Sequence, residues 1–237
     1  MKSGEAVILA GGMGTRLREV VSDRPKVMAP VGNRPFLEYL LMFLRNRNFH
    51  HVVLSVGYRH EMISRYFRSE YRGLSLEYAV EKEPLGTGGG ILNALNHCSG
   101  EDVLIVNGDT LFLIDNVELE EFHFRTSSLL TVCCKRNTDT SRYGTVQVEN
   151  GRITGFSEKG SQEAGLINGG IYLVSRNWLT GLNLPVRFSF ERDFLGPMCR
   201  QQPLYGFVSD AYFLDMGIPE DYRRAERELP GLWNSWE

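Results

Sequence analysis

The sequence lacks the features that mark several large protein classes. It has four cysteines, Cys98, Cys133, Cys134 and Cys199, and no Cys-x-x-Cys spacing among them. Two are adjacent inside an apolar run, so buried reduced thiols are expected, with neither zinc nor disulfides. No stretch reaches the ~18 apolar residues of a membrane span. The opening Met1-Lys2-Ser3-Gly4-Glu5 has no signal-peptide apolar core. A cytoplasmic protein that does not engage membranes is expected. No long basic run is present and the formal net charge is −3, which argues against a nucleic-acid groove. The five histidines, His50, His51, His60, His97 and His123, have no evident partners, and no Ser-His-Asp or Cys-His set stands out. Repeats, low-complexity tracts and linkers are also missing.

What is present is ample apolar material for one core: 237 residues, 42% hydrophobic and 23% charged. The chain is organised around Leu9-Ala10-Gly11-Gly12-Met13-Gly14-Thr15-Arg16-Leu17-Arg18, which follows the short apolar run Ala6-Val7-Ile8-Leu9. Glycines let a ligand approach the backbone closely, successive N–H groups in such a turn can face an anion, and two arginines stand at its far end. The pattern suggests a phosphate site. It is neither the Gly-x-Gly-x-x-Gly of dinucleotide folds, since Leu17 holds the third glycine's place, nor a Walker loop, which needs Gly-Lys-Ser/Thr. A tight turn without a ligand is the bland alternative.

Strands are predicted at Ala6–Leu9, His51–Val56, Leu74–Val80 and Asp102–Val106. Helices are predicted at Phe36–Phe49, at Tyr58–Ser69 with Met62, Ile63 and Tyr66 on one side, and from Gly86 to His97 with Thr87 as N-cap. This alternation is that of a parallel sheet covered on both faces. The second half is richer in strands: Leu129–Cys134, Gly144–Val148, Ile153–Ser157, Leu166–Val174, Leu204–Val208 and Tyr212–Asp215, with Asn150-Gly151 as a hairpin turn. Helices are expected near Val117–Phe124, from Phe188 until Gly196-Pro197 interrupts it, and over Pro219–Leu229. No role is evident for the Trp-containing tail from Pro230.

Four polar points lie just beyond strand ends: Gly11-Gly12, Glu81 to Thr87, Asn107-Gly108-Asp109, and Asp215-Met216-Gly217. Ligands of open α/β sheets bind outside the carboxyl ends of the strands. Asp109 and Asp215, from distant segments, suggest Mg²⁺, which takes few protein carboxylates and completes its shell with phosphate oxygens and water. Either alone reads equally well as a turn cap.

The ordered set Leu9-x-Gly11-Gly12-x-Gly14-Thr15-Arg16-Leu17, Pro25-Lys26, Pro84-Leu85-Gly86-Thr87-Gly88-Gly89, Gly108-Asp109, Glu158-Lys159, Asn168-x-Gly170-Ile171-Tyr172 and Asp215-x-Gly217 resembles the sugar-1-phosphate nucleotidyltransferase family. The resemblance covers nearly the whole chain. Val27 and Gly160 depart from it, standing where the family often has proline. The resemblance implies a Rossmann-like α/β fold of the nucleotide-diphospho-sugar transferase type. Such a fold has a mostly parallel central sheet with helices on both faces and a smaller β-rich sugar-binding lobe. A single domain over 1–237 is expected, with a nucleotide half at 1–115 and a sugar-phosphate half at 116–237. With no long C-terminal extension, a bifunctional form is not expected.

The implied reaction joins a nucleoside triphosphate to a sugar 1-phosphate and releases pyrophosphate. The attacking phosphate oxygen is already an anion, so no protein nucleophile is needed. By resemblance, Arg16 and Lys26 are catalytic. Leu9, Ala10, Gly11, Gly12, Gly14, Thr15, Glu81, Pro84, Gly86, Thr87, Asn107 and Gly108 hold the nucleotide. Gly144, Glu158, Lys159, Asn168 and Glu191 hold the sugar phosphate. Asp109 and Asp215 hold Mg²⁺. Glu83–Gly89, Ala29-Pro30-Val31 with Pro35–Leu40, and Phe188-Ser189-Phe190-Glu191 are most similar to the family's guanylyltransferases for a manno-configured heptose 1-phosphate. GTP is therefore the expected donor, with products destined for surface glycans such as lipopolysaccharide, capsule or S-layer. Self-association is allowed for. Mannose 1-phosphate with GTP, a UTP-dependent hexose or muramate reaction, and a catalytically silent sensor are the alternatives.

Overall fold

Strand β1, Glu5–Leu9, sets the layering. Ala6 and Ile8 join one apolar layer and Val7 another, and all three are fully buried. Alternation with both sides buried requires a cover on each face. The computed structural model, which describes residues 4–12, 23–157 and 163–236, supplies those covers with helices. On one face lie α1 (Phe36–Arg45), α2 (His60–Phe67) and α7 (Pro219–Asn234). On the other lie α3 (Gly86–Leu95), α5 (Arg176–Thr180) and the π-helical turn Phe190–Leu195.

The parallel heart of the sheet comprises β1, β4 (His51–Val56), β6 (Leu74–Val80) and β7 (Asp102–Asn107). β4 and β6 match the predicted spans residue for residue. β5 (Glu70–Tyr71) is a short antiparallel edge. The strand-rich second half continues the same sheet. β12 (Gly165–Ser175) runs antiparallel to β7, and β9 (Leu130–Asn137) antiparallel to β12. β13 (Tyr205–Ser209), β11 (Arg152–Ser157) and β10 (Thr145–Glu149) complete the order β10-β11-β13-β9-β12-β7-β1-β4-β6-β5. Two small pairs stand apart: β2 (Pro30–Val31) with β3 (Arg34–Pro35), and β8 (Thr110–Phe112) with β14 (Phe213–Asp215). The chain travels from β1 outward to β4 and β6, then returns to β7 on the other side of β1. Strand order reverses there, and a crevice opens at such a switch point.

Several expectations need correction. In α2 the buried residues are Ile63 and Phe67, whereas Met62 and Tyr66 are exposed. Tyr66 instead uses its hydroxyl, which donates to Glu38 Oε1 at 2.7 Å. α1 stops at Arg45, because Asn48 takes the left-handed conformation (φ 61°) that redirects the chain into β4. The backbone stays helical through Gly196 (φ −58°) into α6 (Gly196–Met198), with Pro197 in the first turn of α6. α7 continues past Leu229 and through Pro230 to Asn234. Trp233 explains the extension. It is 2% exposed, meets Tyr39 edge-on at 5.3 Å and lies under the Arg34 guanidinium at 4.3 Å. Burying so large a side chain outweighs the loss of one helix hydrogen bond. α4 (Asn116–Arg125) forms as expected, capped by the Asp115 carboxylate, which accepts from the N–H groups of Val117 and Glu118.

Candidate active site

Pro25 leads into a single 3₁₀ turn, Lys26–Met28, anchored by the buried Val27 and Met28. That anchor fixes where Lys26 stands. Its Nζ donates to Asp109 Oδ2 at 2.6 Å, and Thr110 Oγ1 donates to Asp109 Oδ1 at 3.2 Å. Asp215 lies opposite Thr110 in the β8–β14 pair, and Met216 N–H donates to the Asp109 carbonyl at 2.8 Å. The small ladder thus brings together two acids 106 positions apart in the chain. The Asp215 carboxyl is pushed up to about 7, first by burial and then by the Asp109 charge, while Lys26 draws it down. Two neighbouring carboxylates with one shared ammonium have negative charge to spare, and their hard oxygen donors suit Mg²⁺. Among the described residues no group of three or more His, Cys, Asp or Glu side chains could hold a metal. A Mg²⁺ site completed by substrate phosphates does not require one.

Around this pair lies the crevice floor. Ala10 N–H donates to the Ser55 carbonyl at 2.7 Å and Gly108 N–H to the Leu9 carbonyl at 3.1 Å, so Leu9, Ala10, Gly11 and Gly12 emerge between β4 and β7. Among the described residues Asn107 Oδ1 is buried there without a hydrogen-bond partner, an acceptor for a bound group. Glu81 follows β6. Its Oε1 accepts from Ser55 Oγ at 3.1 Å and its Oε2 from Leu85 N–H at 3.0 Å. Glu81 therefore secures the entry to α3, next to the exposed Pro84. Gly14, Thr15, Arg16, Glu158 and Lys159 lie outside the described residues.

Three of the expected sugar-phosphate residues, Gly144, Asn168 and Glu191, gather on the other side. Register shifts in β12 between Asn168 and Tyr172, where Gly170 has φ 69°. Asn168 Nδ2 donates to the Tyr172 hydroxyl at 2.8 Å, and Asn168 N–H donates to the Gly144 carbonyl at 3.0 Å. The Tyr172 hydroxyl contacts Glu191 Oε1 at 3.4 Å. Glu191 Oε2 accepts from Thr87 Oγ1 at 2.8 Å and Ser189 Oγ at 3.2 Å. Thr87 is not the N-cap of α3. Leu85 holds that place, and Gly86 precedes Thr87 inside the helix with φ 75°.

Some members of the site were given no role from the sequence. Ser55 sits inside an apolar strand, whereas Ser189 and Tyr172 stand in motifs of the resemblance without an assigned role, and Tyr172 at 0% exposure is also a core aromatic. Arg142, which pairs with Asp221 beside Asp215, comes from a loop with no periodicity to read.

The model of the family described as "Nucleotidyl transferase" matches residues 5–230. The chain belongs to the nucleotidyl transferase family. This nucleotidyl transferase is 48% identical over 225 residues to a D-glycero-alpha-D-manno-heptose 1-phosphate guanylyltransferase of Aneurinibacillus thermoaerophilus, covering 95% of this chain and 98% of the relative. It is 41% identical over 219 residues to an enzyme of the same name from Campylobacter jejuni, covering 92% and 96%. In structure the transferase is similar to HddC from Yersinia pseudotuberculosis complexed with GMP-PN. The TM-score is 0.84 and the identity 33%, over 95% of this chain and 99% of HddC. Among the described residues no helix is long and apolar enough to cross a membrane.

Proposed function

We propose that this nucleotidyl transferase moves the guanylyl group of GTP to D-glycero-α-D-manno-heptose 1-phosphate, releasing pyrophosphate and forming the GDP-sugar. The carrying observation is the Lys26–Asp109 pair set against Asp215 at the strand-order reversal. The names of the similar proteins and the guanine nucleotide in HddC support the choice of donor and acceptor. We read the chain as one catalytic unit, residues 1–115 serving the nucleotide and 116–237 the sugar phosphate. Its buried free cysteines suit a reducing cytoplasm.

The chemistry follows from charge. Both reactants are anions, so the protein must hold them in line and spread the charge that gathers at the α-phosphate. Lys26 carries its ammonium to that point. Asp109 and Asp215 would hold Mg²⁺, which supplies the further positive charge that two phosphate groups require. Gly11, Gly12, Gly14 and Thr15 would offer backbone N–H groups to the triphosphate, with Arg16 neutralising the departing pyrophosphate. Glu81, whose carboxylate keeps lone pairs beyond its two internal bonds, would accept from guanine N1–H and N2–H₂. Glu158, Lys159, Asn168, Gly144 and Glu191 would hold the sugar phosphate. GTP labelled at its α-phosphate tests this reading. The label should appear in the sugar product, not in free GMP or in phosphate; label left in GMP would mean hydrolysis, and would overturn it.

A further inference from the structure

We propose that Thr87 is a positioning residue for the sugar site: its hydroxyl fixes one oxygen of Glu191 and leaves the other for a sugar hydroxyl. The inference rests on the reading that Glu191 faces the sugar, and removes Thr87 from the nucleotide contacts.

A hydroxyl has one proton to give. The Thr87 proton goes to Glu191 Oε2 at 2.8 Å, and its oxygen accepts from Phe190 N–H at 2.8 Å. No proton remains for a triphosphate oxygen. The junction is reinforced on both sides, because Gly88 N–H donates to the Phe188 carbonyl and Phe188 N–H to the Leu85 carbonyl, each at 3.0 Å. The first turn of α3 therefore grips residues 188–190 through backbone and side chain together. Gly88 permits that grip, since a Cβ there would fall 2.1 Å from the Phe188 ring.

The two oxygens of Glu191 are treated differently. Oε2 receives two hydroxyl donors, Thr87 and Ser189. Ser189 Oγ is itself held, accepting from Arg192 N–H at 3.2 Å. Among the described residues Oε1 has only the long 3.4 Å contact from Tyr172, whose hydroxyl already accepts from Asn168 Nδ2. Oε1 is thus the oxygen with capacity for a substrate hydroxyl. A carboxylate pinned at one oxygen presents the other at a fixed place, and hydrogen bonds to an ionised acceptor are the stronger kind. Thr87 belongs to the nucleotide half and Glu191 to the sugar half. The hydroxyl therefore passes the placement of α3 directly to the group that would recognise the sugar.

The test compares Thr87→Val, which keeps the branched shape without the hydroxyl, with Thr87→Ser, Glu191→Gln and the Val/Gln double variant. KM for GTP and for the sugar 1-phosphate are measured separately. Thr87→Val should raise the sugar-phosphate KM about tenfold, as expected for losing one charge-assisted hydrogen bond, and leave the GTP KM within about twofold. Thr87→Ser should restore it, and the double variant should be no worse than Glu191→Gln alone. A rise in the GTP KM instead, or an unchanged sugar-phosphate KM where Glu191→Gln raises it, would overturn the assignment of Thr87. An unchanged sugar-phosphate KM in Glu191→Gln would remove Glu191 from the sugar, and the inference with it.

Discussion

The Lys26 ammonium and the Asp109 carboxylate meet at 2.6 Å across 83 residues of sequence. The pair holds the ammonium in place with no ligand bound, so in the proposed reaction little reorganisation would be needed when charge builds at the α-phosphate. Lys26→Met keeps most of the apolar stem and removes the charge. It should lower kcat by roughly 10²–10³ while changing the GTP KM little. Steady-state kinetics with saturating sugar phosphate measure this; an effect confined to KM would place Lys26 in ground-state binding only.

Asp109→Asn and Asp215→Asn should separate activity from fold. Burial and the Asp109 charge disfavour ionised Asp215, so an uncharged amide there should leave the melting temperature of the metal-free protein unchanged or raised. Turnover should fall by at least ~10²-fold in both variants, as expected for losing a charged metal ligand. Melting curves in chelator beside pyrophosphate-release rates read the two effects. A lowered melting temperature with turnover near wild type would reverse both expectations.

Glu5 gives a pH dependence at the opposite end of the sheet. Burial raises its carboxyl, but hydrogen bonds from His51 and from the N–H groups of Gly100 and Ser99 outweigh that and hold it below its ordinary 4.5. The His51 contact is 2.9 Å and the Ser99 contact 3.0 Å. For an acid lowered by folding, the stabilisation is complete above the unfolded value and is lost as pH falls through the folded one. Glu5→Gln should therefore reduce stability at pH 7 and flatten the decline below about 4.5. Parallel declines in the two proteins between neutral and acid pH would contradict this.

Gly88→Ala puts a methyl into the Phe188 ring. The ring is 6% exposed and packs in the layer containing α3 and Phe194, so there is little room to retreat. A loss of about 1–3 kcal/mol is expected for such overpacking, measured by chemical denaturation. A neutral outcome would mean that residues 186–190 move freely from α3.

What was legible in the sequence follows from how local each signal is. His51–Val56 and Leu74–Val80 are apolar or alternating over their own length, so their bounds could be read directly. Asp109 and Asp215 were legible because a strand end followed by a turn residue is a local pattern. The face of α2 was not, because Met62 and Ile63 are both apolar and only tertiary packing buries the second. The length of α7 depended on Trp233 finding Tyr39, a contact across nearly the whole chain. Thr87 looked like a cap because helix entry and a hydroxyl coincide there; Glu191, which takes its proton instead, lies 104 residues away. The expected Arg16 and Lys159 fall outside the described residues.

The most direct measurement is kcat/KM for the purified protein with GTP or UTP, each against D-glycero-α-D-manno-heptose 1-phosphate and mannose 1-phosphate, read as pyrophosphate released with Mg²⁺ present. GTP with the heptose 1-phosphate should be the best pair, with one pyrophosphate per GDP-sugar formed. Preference for UTP with either sugar, or GTP consumption without pyrophosphate, would contradict the assignment as a heptose 1-phosphate guanylyltransferase.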